Sequence, residues 1–162
     1  MNRYYNPVRT VEGPGCLSQL PQVLEEMTLP QRKVLVLAWS QKALEHPVVA
    51  ALLQEGSGLE AKGLVFTASN PTVEQLFQVW QETKAFAPEA VVAIGGGSVL
   101  DVGKSLCCLY GRELESLQAL REAITDGKLH PAAQWIGVPT TAGTGSEVTC
   151  WATIWDPEQN CK

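Results

Sequence analysis

Histidine is scarce in this sequence: 162 residues contain two, His46 and His130. They stand far apart, and neither has a ligand-type residue three or four positions further along the chain. A histidine-based metal centre therefore has no nucleus here, and both read as surface positions on a helix or loop. Cysteines number five, an odd count, and no two are spaced as CxxC. That spacing argues against zinc and against a disulfide framework. The expectation is a reduced, cytoplasmic compartment with five buried, inert thiols. No apolar run approaches the ~20 residues of a membrane helix. Residues 1–7 have no apolar stretch of signal-peptide type. Basic residues are outnumbered, 12 Lys plus Arg against 17 Asp plus Glu, for a net charge of −5. They are scattered, so neither nucleic acid nor an anionic membrane is an expected partner. Neither GxGxxG nor a P-loop occurs.

What is present is ordinary globular composition, 45% hydrophobic and 18% charged, which excludes disorder, collagen and coiled coil. The length suits one domain, residues 1–162, and no linker or internal repeat interrupts it. After an extended start and a Gly13-Pro14-Gly15 turn, Leu17, Leu20, Leu24 and Met27 recur at helical spacing. Val34–Ala38 and Ala90–Ile94 are continuous apolar runs of the kind buried on both faces of a parallel sheet. Residues 64–66 and 135–138 read as two further strands. Helical pattern runs through Val48, Val49, Leu52 and Leu53, from residues 70–72 to Ala87, from Ser98 to Leu109, and over 112–126. At the helix start of residues 70–72, either Asn70 caps with Pro71 at the first helical position, or Thr72 caps with Gln75 completing a capping box. Alternating strands without a polar face predict an α/β, Rossmann-like parallel sheet with helices on both faces. Ligands of such sheets bind at the carboxyl ends of the strands.

Two segments begin where a strand ends. In Gly95-Gly96-Gly97-Ser98-Val99-Leu100-Asp101-Val102-Gly103-Lys104, the glycines remove side chains at a strand-to-helix turn, where backbone N–H groups and the helix dipole favour a phosphate. The plain alternative is that Ser98 is an N-cap and Asp101 completes its capping box. In Pro139-Thr140-Thr141-Ala142-Gly143-Thr144-Gly145-Ser146-Glu147-Val148-Thr149, small hydroxyls suited to phosphate and ribose oxygens crowd beside glycines. Taken alone, this stretch is equally a polar Ser/Thr turn.

The first stretch resembles the GGGSxxDxxK motif of the iron-dependent alcohol dehydrogenases, and the second resembles that family's PTTAGTGSEVT motif. Asn70-Pro71-Thr72 is similar to its NPT turn, and Gly13-Pro14-Gly15 with Leu17 and Leu20 to its N-terminal signature. The resemblance implies the nucleotide-binding, N-terminal half of a two-domain dehydrogenase that moves a hydride between NAD or NADP and a small alcohol or aldehyde. It implies that Gly96, Gly97 and Ser98 cradle the pyrophosphate and that Asp101 lies near it. Thr140, Thr141 and Thr144 would line the opposite wall. Thr149 and Lys162 would approach the nicotinamide-side ribose, and Asn70 the adenosine side. The family's divalent metal, usually iron, is held by one Asp and three His of a helical domain, whose ligands would fall beyond Lys162.

One departure concerns the turn after the first long strand. NAD-preferring members tend to carry Asp there, whereas this chain has Ala38-Trp39-Ser40-Gln41. Indole cannot accept ribose hydroxyls, so NADP is also admitted, with Lys42 nearby. The plain reading places Trp39 beneath an adenine or in the core. The cofactor preference stays open. Without metal ligands the chain alone is expected to bind dinucleotide weakly and not to turn over alcohol. Trp151, Ile154 and Trp155 form an apolar group that covers another domain, joins a strand, or favours a homo-oligomer. Two alternatives stand beside this reading: a related polyol or sugar-phosphate dehydrogenase domain, and a non-catalytic nucleotide-binding module from a truncated gene.

Overall fold

The two apolar runs form the centre of a four-stranded parallel sheet in the computed structural model, which describes residues 7–161. The strands are β1 (Lys33–Ala38), β2 (Glu60–Val65), β3 (Ala90–Gly95) and β4 (Gln134–Pro139), in the spatial order β2-β1-β3-β4. Val34 pairs with Ala90 and Ala38 with Ile94 across the central pair. Because successive strand side chains point to opposite faces, these two runs supply two cores. Leu35, Leu37, Val91 and Ala93 face one, and Val34, Val36, Ala38, Ala90, Val92 and Ile94 face the other. All of these are buried, as a sheet sandwiched between helices requires.

The second of these cores is covered by α1 (Leu20–Glu25), α2 (Gln41–Leu44) and α3 (Pro47–Leu53); the first by α4 (Val73–Thr83), α5 (Gly97–Leu109) and α6 (Leu117–Thr125). Strand order therefore reverses between β1 and β3. The chain leaves β1 towards β2 over one face and returns to β3 and β4 over the other. In open α/β sheets that reversal opens a crevice at the strand carboxyl ends.

The structure corrects several element boundaries. The β2 strand starts before and ends one residue short of the expected 64–66, because the ladder to β1, buried from Val34 to Ala38, recruits Glu60–Gly63 despite their weak strand character. The helical pattern through Val48, Val49, Leu52 and Leu53 is α3, and a short helix that the sequence did not suggest, α2, precedes it. Pro47 can only begin a helix, so the chain restarts there with His46 as N-cap. The first helix likewise starts as a 3-10 turn, Cys16–Gln19, before α1. The 112–126 helix is confined to α6, which begins where the Ser116 hydroxyl accepts the Ala119 amide at 3.1 Å. The choice at α4 falls to Thr72. Its hydroxyl accepts from Gln75 N at 3.3 Å, and Gln75 Oε1 accepts from Thr72 N at 3.0 Å. Residues 84–86 tighten into a 3-10 turn, so the α-helix ends before Ala87.

Helix α4 is tied to α5 at its far end. Trp80 Nε1 donates to the Leu109 carbonyl at 3.3 Å, and the Thr83 and Tyr110 hydroxyls share a buried hydrogen bond of 2.8 Å. Burial raises the Tyr110 phenol above its ordinary range. Only Cys107 is buried among the five cysteines; Cys150 and Cys161 are exposed, which corrects the expectation of five buried thiols. Trp39 is half exposed and outside both cores, and Trp151 is 80% exposed. Ile154 instead packs on the first core, and Trp155 makes a parallel bridge with Thr72, so the three do not form one cluster. Both histidines are exposed, and no described helix is long and apolar enough to cross a membrane.

Candidate functional site

Both glycine-rich segments leave the sheet on the same edge, from adjacent parallel strands. β3 ends at Gly95 and pairs there with Pro139, the end of β4, and Thr140 N donates to the Gly95 carbonyl at 3.0 Å. On the other side of β3, Trp39 N donates to the Ile94 carbonyl at 3.0 Å. The turns after β1, β3 and β4 thus share one rim, at the point where strand order reverses.

The N-terminus of α5 has no side-chain cap. Gly96 occupies the N-cap position and contributes no acceptor, and Val99 and Leu100 both donate to its carbonyl at 3.1 Å. This corrects the expectation that Ser98 caps the helix with Asp101 closing a box; Ser98 is already inside it. The reason is steric. A Cβ at Gly95 would lie 2.7 Å from Val99 Cβ, so the helix begins at once after the strand. The first amides of α5 keep their donor character and positive dipole at the rim, the arrangement that holds phosphate elsewhere.

The two segments interlock through absent side chains. A Cβ on Gly96 would stand 3.0 Å from Thr141 Oγ1, and one on Gly97 would stand 3.0 Å from Thr144 Cγ2. The backbone of one segment therefore forms the floor against which the hydroxyls of the other rest. Gly143 and Gly145 hold φ angles of +112° and +64°, which let the Thr-rich segment fold over without strain. A 3-10 turn at Ser146–Val148 follows.

Every proposed site residue except Lys162 lies on this rim or is bonded to it. Lys162 falls outside the described residues. Asn70, in the left-handed region at φ 52°, donates its amide to Ser98 Oγ at 3.2 Å, which brings the NPT turn to the glycine segment. Thr140, Thr141, Thr144 and Thr149 are exposed or half-exposed along the second segment. Asp101 is different. Its Oδ1 accepts from Ser146 Oγ at 2.5 Å and its Oδ2 from Thr153 N at 3.0 Å, so its carboxylate serves the protein. Lys104 and Ser146 stood inside the quoted motifs but carried no expectation; the structure makes both part of the rim. Lys104 Nζ lies 3.2 Å from Asp101 Oδ1 and donates to the Ser146 carbonyl at 3.0 Å.

No described cluster of three or more His, Cys, Asp or Glu side chains fits a metal ion. The anchor of the C-terminal stretch is Arg121. It meets Asp156 in a two-pronged bond of 2.7 and 3.0 Å, and it also reaches Glu74 and Glu158, each at 2.9 Å. The Arg121 guanidinium holds the Asp156 carboxyl below its usual range.

A family model described as iron-containing alcohol dehydrogenase matches residues 7–162. The chain is 28% identical over 106 residues to an NADPH-dependent butanol dehydrogenase of Clostridium saccharobutylicum, covering 65% of this chain and 27% of that protein. It thus spans well under half the length of the relatives it matches. Among solved structures, NADH-dependent butanol dehydrogenase A of Thermotoga maritima superposes with a TM-score of 0.78 at 24% identity, covering 98% of this chain and 39% of that one. Sulfoacetaldehyde reductase of Bifidobacterium kashiwanohense, in complex with NAD+, superposes with a TM-score of 0.77 at 26% identity, over 99% and 41%.

Proposed function

The chain belongs to the iron-containing alcohol dehydrogenase family, and from that premise we propose that residues 1–162 are the domain that binds a nicotinamide dinucleotide for hydride transfer between an alcohol and an aldehyde. One observation carries the reading: the uncapped start of α5 and the threonine-rich segment after β4 meet at a single rim, packed glycine to threonine. A dinucleotide diphosphate fits there, because orphan helix amides supply donors and the glycines admit close approach. Gly96, Gly97 and Ser98 hold the diphosphate. Thr140, Thr141 and Thr144 line the facing wall. Thr149 and Lys162 serve the nicotinamide-side ribose and Asn70 the adenosine side, and Asp101, close to the diphosphate, ties the threonine-rich segment to α5. The bound nicotinamide supplies the hydride-accepting ring.

The similar butanol dehydrogenases are named for NADPH in one case and NADH in the other, so either nucleotide is a candidate for this chain. Trp39 stands half exposed at the rim and offers ribose hydroxyls no acceptor. The described residues provide no metal-binding group, and a lone chain is expected to hold nucleotide without oxidising alcohol. Titrating tryptophan fluorescence with NAD+, NADH, NADP+ and NADPH tests the reading. Saturable quenching by at least one of them supports it, and a tenfold difference sets the preference. The absence of any saturable change overturns it. Butanol-dependent NAD(P)+ reduction by this chain supplied with iron would contradict its expected inactivity.

A further inference from the structure

The segment after Pro139 has almost no regular structure: one 3-10 turn, Ser146–Val148, and no strand before Trp155. Its backbone groups need partners from elsewhere, and two side chains of α5 supply them. Gly97, Asp101 and Lys104 recur at helical spacing and form one stripe of α5 facing this segment. Gly97 receives Thr144. Asp101 accepts the Ser146 hydroxyl at 2.5 Å and the Thr153 amide at 3.0 Å. The Lys104 ammonium reaches the carbonyls of Ser146 at 3.0 Å and Thr149 at 3.4 Å, the Thr149 hydroxyl at 3.4 Å, and the Trp151 carbonyl. It also lies 3.2 Å from Asp101 Oδ1 and 5.8 Å from the Trp135 ring centroid. Its side chain is 11% exposed.

An ammonium has three donors and no acceptor. Here at least as many protein oxygens already surround it, so Lys104 has no donor left for a phosphate. This differs from a lysine that touches its ligand as a point charge. The hydrogen bonds of its ammonium all go to the segment after Pro139 and none to the strands. Its position lets it set the shape of the segment without holding the sheet together.

We propose that Lys104, braced by Asp101, is a positioning residue for the dinucleotide cleft: it gathers the carbonyls of Ser146, Thr149 and Trp151 on one charge and so presets the threonine wall against the glycine turn. This rests on the reading above that the cleft holds a dinucleotide. Ordering the wall in advance removes an entropic cost from binding.

The test uses the full chain and the variants Lys104→Met and Lys104→Arg. Expected for Lys104→Met are a melting temperature close to that of the parent, amide hydrogen exchange over 144–151 faster by about tenfold, and NAD(P)+ affinity weaker by about tenfold. The salt dependence of the affinity stays unchanged, because no phosphate contact is removed. Lys104→Arg keeps the charge but presents a flat fork, and it restores only part of the affinity. Unchanged exchange and affinity in Lys104→Met overturn the proposal. So does a flattened salt dependence, since that makes Lys104 a direct phosphate contact. If Lys104→Met does not fold, Asp101→Asn is read by the same criteria. A parent chain that binds no nucleotide defeats the cleft assignment alone, because the exchange comparison still tests the clamp.

Discussion

The hydroxyl of Ser98 accepts the backbone amide of Asn70 at 3.2 Å, so a turn that precedes α4 is fastened to the first turn of α5. At their other ends the same helices are joined by Trp80 with Leu109 and by Thr83 with Tyr110. The glycine segment is held from the side by a neighbouring helix as well as from below by β3. Replacing Ser98 with Ala removes one exposed hydrogen bond, whose amide then turns to water. Global stability should fall by less than about 1 kcal/mol. Amide exchange at residues 68–70 should rise clearly above the rest of the chain, and equal exchange there would refute the link.

Gly97→Ala separates stability from binding. Alanine favours the helix by up to ~1 kcal/mol, and Thr144, on an exposed segment, can yield to the new Cβ. Urea unfolding should show a midpoint equal to or above that of the parent. Nucleotide titration should show affinity lowered several-fold, because the wall has been pushed outward.

Gly103→Ala makes the opposite case. The added Cβ would stand 2.7 Å from Ala93 Cβ in the middle of β3, where neither partner can rotate away. Overpacking of this kind costs about 1–3 kcal/mol. The urea midpoint should drop with the slope unchanged. A midpoint no lower than the parent's would mean that α5 sits farther from the sheet.

Acid should loosen the C-terminal stretch first. Unfolded, Asp156 titrates at its ordinary value of 3.8; folded, Arg121 holds it lower. The folded chain therefore binds fewer protons in that window, and stability from this pair is present above about pH 4 and lost as pH falls through the folded value. Asp156→Asn should abolish this part of the pH dependence. Melting curves collected down the acid range provide the measurement; an Asn variant with the parent's full dependence would contradict the assignment.

Thiol labelling should resolve the cysteines into classes. Cys150 and Cys161 are exposed and should react at once with an aromatic disulfide reagent. Cys107 is buried, and desolvation raises its thiol well above the usual range, so it should react only on unfolding. Rapid labelling of Cys107 in the native chain would show that α5 opens away from β4.

Much of this architecture was legible in the residues. Runs such as Val34–Ala38 and Ala90–Ile94 have no polar face, and such runs have few places to go except the middle of a parallel sheet. The two glycine-rich stretches announced a ligand edge because each followed a strand. Legibility failed where long-range pairing overrode local preference. Glu60–Gly63 became strand because β1 offered unpaired backbone groups. Ser98 lost its expected capping role because Gly95 brings the helix in against Val99. The four residues of α2 are too few to carry a helical period, so that helix left no signal before Pro47.

The sequence by itself determined the strand-and-helix alternation, the burial of the central strands and the family to which the chain belongs, because periodicity and motif spacing are local properties. Only the tertiary structure decided that Asp101 and Lys104 turn towards the Thr-rich segment and that Thr141 and Thr144 rest on Gly96 and Gly97. Those contacts join residues some forty positions apart. They exist because parallel register sets the ends of β3 and β4 side by side, and spacing along the chain carries no record of that register.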